Sequence, residues 1–127
     1  MAIDRYDPLK APDPTQWLAL DEGARMELVT DYHASAGVAL PNARVHAAMH
    51  VGVENQVALG DETPVREKVR QLMAQGLNRH DAIHAVASVL VNHLYDMAKG
   101  KAPAGDPNER YYAALKRLNA RKWLRSG

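Results

Sequence analysis

The sequence predicts an all-α protein, a bundle of four main helices with a short helix at the N-terminal end. Three observations predict it. Apolar residues recur at helical spacing, most cleanly at Ile83, Val86, Ala87, Leu90, Leu94 and Met97. The patterned segments open on a capping residue, a proline or both, and most close on glycine. No stretch alternates with period two, and with phenylalanine absent and aromatics at 6% there is little to support strands.

The elements follow in order. Residues 1–12 are polar and punctuated by proline, and are expected to form a flexible arm. Asp13, Pro14 and Gln16 supply a cap, a proline at the first helical position and a capping-box partner for a short helix through Trp17. Asp21 can cap a helix to about Ala36, closed by Gly37, with Met26, Val29, His33 and Ala36 on one face. Leu40, Pro41 and Asn42 form a turn, and Asn42 caps a helix to about Leu59, closed by Gly60 and Asp61. Thr63 and Pro64 open a helix with Val65, Val69, Leu72 and Met73 inward, stopped at Gly76. Asn78 caps a long helix to about Lys99, ended by Gly100 and a loop to Gly105. Asp106, Pro107 and Glu109 begin a last helix toward Trp123.

A chain of 127 residues matches one domain, expected over 1–127. With 46% hydrophobic and 24% charged residues, the composition is that of a globular protein and argues against disorder. The net charge of +1 exerts no overall pull on nucleic acid or anionic membrane. There is no cysteine, which excludes disulfides, thiolate metal sites and thiol catalysis. No secretory h-region and no run of the roughly 20 apolar residues that span a bilayer occur, so a cytoplasmic protein is expected.

The chemistry-bearing feature is histidine. His46 and His50, with Glu54, stand at four-residue spacing on one expected helix, and His80 and His84 repeat the spacing on another. Side chains four apart on a helix lie one above the other, so two imidazoles can reach one ion at about 2.0–2.1 Å. His46 to Glu54 spans about 12 Å of helix rise, whereas ligands of one ion lie within about 4 Å of each other. Either two ions sit side by side, or one member orients another. Glu54 suits orientation or accepting a proton from metal-bound water. On the expected helix Val45, Met49 and Val53 mark the core side, the histidines flank it and Glu54 lies further round. His33 is a fifth candidate ligand, and His93 falls on the wrong flank. Imidazole and carboxylate without thiolate suit zinc or iron, with nickel also compatible, and disfavour copper(I).

Asn42 through His50, then Gln56, the basic run to Arg66, and His80 through His84 resemble an uncharacterised family of small bacterial proteins known as a domain of unknown function. That family is similar in having histidines four apart before a Glu-Gln pair and a second such pair downstream. The resemblance implies importance for these positions and no activity. Here the order is Glu54, Asn55, Gln56, which displaces the acid by one position. In ligand supply alone, His33, His50 with Glu54, and His80 with His84 are comparable to hemerythrin-like di-iron bundles, without their final His-Asp element. His80-Asp81 resembles the paired His-Asp of helical metal-dependent phosphohydrolases over two residues, where Asp81 equally serves as the N-terminal acid of its helix.

The other reading is a non-enzymatic interaction domain. Its histidines would be structural, and the basic segment from Lys116 to Arg125 would meet a protein or nucleic-acid partner, with Trp123, Tyr111 or Tyr112 stacking. Positive charge at a helix C-terminus also has a purely structural origin in the helix dipole.

Overall fold

Local capping sets where the helices begin. The computed structural model describes residues 3–35, 42–100, 106 and 108–126. Asp13 accepts from the Gln16 amide at 2.9 Å to start α1, Pro14–Ala19. Asp21 accepts from the Ala24 amide at 2.7 Å to start α2, Glu22–Ser35. Asn42 accepts from the Val45 amide at 3.2 Å to start α3, Ala43–Ala58. A 3-10 turn, Gly60–Glu62, leads to α4, Val65–Ala74. Asn78 accepts from the Asp81 amide at 2.8 Å to start α5, Arg79–Ala98. Gly76 and Gly100 follow α4 and α5 with φ of 110° and 71°, a conformation that a Cβ would strain. The expected stop at Gly37, the turn at Leu40 and Pro41, and the loop past Gly100 lie outside the described residues.

The last expected helix is two helices, α6 (Asn108–Arg117) and α7 (Ala120–Ser126). The break has a local cause. The Asn119 side chain accepts from the Lys122 amide at 2.8 Å and starts a new helix. The Leu118 carbonyl accepts instead from the ammonium of Lys68 at 3.0 Å.

α3 packs against α1, α2, α4 and α5. It divides two apolar clusters. Val53 and Val57 join Val65, Leu72, Ile83, Val86 and Leu115 on one side, and Ala47 and Val51 join Tyr6, Trp17 and Val29 on the other. This corrects the expected facing of α3. Val45 is 50% exposed, while His50 and Glu54, expected on the flank and beyond it, are each 1% exposed. An element covered on two sides buries more than one stripe, so a single core face does not describe it. Leu94, Met97 and Met73, expected inward, are exposed. The C-terminal half of α5 runs past the start of α3, because His84 lies beside His46, four residues into α3.

Residues 3–12, the described part of the segment expected as an arm, form no helix or strand, yet Tyr6 and Pro8 are buried. Among the described residues no helix is long and apolar enough to cross a membrane.

Candidate metal centre

α3 and α5 run antiparallel and meet through polar side chains. His46 faces His84 (ring centroids 5.0 Å apart), His50 faces both His84 (4.9 Å) and His80 (5.3 Å), and Glu54 faces Arg79. α2 adds His33, with its ring 4.7 Å from His46 and 5.1 Å from His50. Four of the six histidines thus surround a fifth, His50. His93 stacks on Tyr111 at 5.4 Å, away from this group.

Hydrogen bonds orient two of the rings. The Tyr6 hydroxyl donates its proton to Glu54 Oε2 at 2.6 Å. Its oxygen is then left to accept from His50 Nδ1 at 3.2 Å, which places the lone pair of the neutral ring on Nε2. His33 Nδ1 donates to the Val29 carbonyl at 2.9 Å, so its lone pair is likewise on Nε2. A ligating histidine typically has its other ring nitrogen held by an oxygen in this way. His50 Nε2 lies 2.9 Å from His84 Nε2, a contact that a proton on His84 satisfies. His33 Nε2 and His80 Nε2 are buried without a hydrogen-bond partner among the described residues.

The cluster resolves into two overlapping triads, His33–His50–His80 and His46–His50–His84, each with ligand atoms within 4.8 Å of one another. Nitrogens sharing an ion through bonds of about 2.0–2.1 Å in tetrahedral geometry sit roughly 3.3 Å apart, so a bound ion would draw these atoms closer together. With Nδ1 turned to Tyr6, His50 has one nitrogen to give. The triads are therefore alternatives for one ion, or two ions divide five histidines between them.

Burial favours the neutral form of four of the rings. Burial and the facing His84 push His50 down to about 2. Burial and the neighbouring His80 and His46 push His84 down to about 4. Burial also lowers His46 and His80, although Asp81 and Asp7 partly offset this at His80. Neutral imidazole is the form that binds a metal.

Glu54 is placed differently from the expectation of a ligand or base. Both its oxygens are held by Arg79 at 2.7 Å, and Oε2 also by Tyr6. It shares the Tyr6 hydroxyl with His50 Nδ1, on the ring edge opposite the nitrogen that faces His84, which is the orienting placement the sequence also allowed, and it is a member of neither histidine triad. Burial and the Glu54 carboxylate push the Tyr6 phenol far above its ordinary range, so it keeps the proton that it donates. Burial works against the charge of Arg79, but Glu54 outweighs it and raises the guanidinium further. Arg79 Nη1 also donates to the Pro8 carbonyl at 3.0 Å.

Tyr6, Pro8 and Arg79 were not legible as site residues from helical periodicity. A signal for Arg79 existed. A cation in the first turn of a helix opposes the dipole, and an acid amid the apolar residues of α3 needs a buried partner.

An all-α protein with a histidine cluster between three helices is the class that fold and site define. The model of a domain of unknown function, DUF1841, matches residues 14–117, and the chain belongs to this family. Comparisons with curated proteins and with solved structures gave no match.

Proposed function

We propose that this protein binds one or two first-row transition-metal ions, zinc or iron, through His33, His46, His50, His80 and His84. One observation carries the reading. His33 and His50 each have Nδ1 committed to an oxygen and a lone pair on a buried Nε2, within a group of five histidines. Packed structural histidines need each buried nitrogen satisfied, and His33 Nε2 and His80 Nε2 are not satisfied by the described residues. Imidazole nitrogens without thiolate suit zinc and iron. Glu54, through Tyr6, fixes the tautomer of His50 and raises its basicity as a ligand.

The interaction-domain reading draws on the exposed Lys116, Arg117, Arg121, Lys122 and Arg125. Tyr111, one of its expected stacking residues, is buried and donates to Gln56 Oε1 at 2.6 Å.

Elemental analysis of untagged protein tests the proposal, together with thermal unfolding in zinc, in iron(II) and in a chelator. About one or two ions per chain are expected. Free ion at a hundredfold excess over its Kd adds about 2.7 kcal/mol of stability, a shift of several degrees for a chain of this size. A metal content far below one per chain, with unfolding indifferent to both ions, refutes it. A His46→Ala/His84→Ala variant that responds to zinc as the parent does would refute the assignment of that triad.

A further inference from the structure

Away from the histidines, Glu54 and Arg79 also line a cavity of about 500 Å³. This volume falls in the range of small-molecule sites, roughly 300–1,000 Å³. Trp17, Val57 and Val69 give it an apolar lining, and Leu9 and Met73, 55% and 42% exposed, extend that lining to the outside. Arg66 and Arg70, one turn apart on α4, supply positive charge.

These arginines are only loosely engaged. Arg70 lies 3.9 Å from Glu67, and both side chains are mostly exposed. Arg66 binds Asp61 at 2.8 Å, where Asp61 is 93% exposed and free to exchange that contact for water. The two acids that line the cavity are committed elsewhere. Glu54 is held by Arg79 and Tyr6, and Asp13 caps α1. The cavity therefore offers an apolar trough beside two guanidinium groups whose own acid partners, Asp61 and Glu67, are solvent-exposed and exchangeable.

We propose that this cavity is a binding site for a small amphipathic organic anion, an apolar body carrying one carboxylate or phosphate. The body lies along Trp17, Val69 and Met73, and the anionic group meets Arg66 and Arg70. Guanidinium groups suit planar bidentate acceptors. The inference uses none of the histidines and stands whether or not they hold a metal.

Titration calorimetry on the whole chain, with and without a chelator, tests it using octanoate, octyl phosphate, octanol and inorganic phosphate. One octanoate or octyl phosphate is expected per chain, and the tighter of the two identifies the headgroup. Octanol and inorganic phosphate are expected to bind at least about tenfold more weakly, since each lacks one half of the recognition. Arg66→Gln/Arg70→Gln, both at the surface of α4, should weaken the anions about tenfold or more and leave helicity unchanged. Met73→Asp should weaken them through the apolar half. Absence of binding by both amphiphiles at millimolar concentration, equal binding of octanol, or unchanged binding by both variants overturns the proposal.

Discussion

Tyr6→Phe removes one oxygen from the centre of the site and leaves the ring that packs against Trp17, at a centroid distance of 5.9 Å. Two contacts go with it, the donation to Glu54 at 2.6 Å and the acceptance from His50 Nδ1 at 3.2 Å. Glu54 keeps both bonds to Arg79, so its charge stays compensated. His50 Nδ1 loses its acceptor in a ring that is 1% exposed. A hydrogen bond to a charged group contributes about 1.5–3 kcal/mol, and an unsatisfied buried donor costs about 1–3 kcal/mol. Because these overlap, the expected loss of stability is about 2–3 kcal/mol. The effect on metal is separable. Removing the partner of a ligating histidine lowers affinity about 10–100-fold. Competition with a chromophoric chelator measures that affinity for zinc, and urea unfolding of metal-free protein measures the stability. Lower stability with zinc affinity unchanged would refute the orientation of His50 by Tyr6 and leave Tyr6 a packing residue.

Two further outcomes are expected. Arg79→Met leaves the buried Glu54 carboxylate without its cation and should destabilise the chain by about 3–5 kcal/mol. Arg79→Met/Glu54→Gln should recover part of that loss in urea unfolding, and equal loss in both variants would contradict the pairing. The metal-free chain should lose stability as pH falls below about 6.5, the ordinary histidine value. His50 and His84 are depressed to about 2 and about 4, so the unfolded chain takes up their protons first. The stability they contribute is complete above pH ~6.5 and is lost on acidification at up to about 1.4 kcal/mol per pH unit for each proton. The slope for His84 should fall below that limit, because its ring is only half-buried and solvent screens it. Unfolding free energies that stay flat from pH 7 to 5 would refute these depressed values.

Helical periodicity and capping residues made the all-α class readable, because both are local. Asp13, Asp21, Asn42 and Asn78 cap the helices expected of them. The break before α7 was not visible, since Asn119 inside a basic stretch is compatible with a continuing helix. His46, His50, His80 and His84 were legible as pairs through their spacing, but convergence of the pairs depends on the antiparallel register of α3 and α5, which no local pattern encodes. Tyr6 lies in a segment without periodicity, so nothing local marked it. Its role follows only from the needs of an imidazole and a carboxylate, 44 and 48 residues away respectively.

The contact between the Arg79 guanidinium and the Pro8 carbonyl joins positions 71 residues apart. Closing so long a loop is a non-local step, and the hydrogen bonds that form each enclosed helix do nothing to offset its entropy. Helix formation alone therefore does not assemble the Tyr6–Glu54–Arg79 network. The opening residues must dock on the bundle before His50 is locked in one tautomer, which makes that docking the step at which secondary structure becomes a shaped pocket of imidazoles.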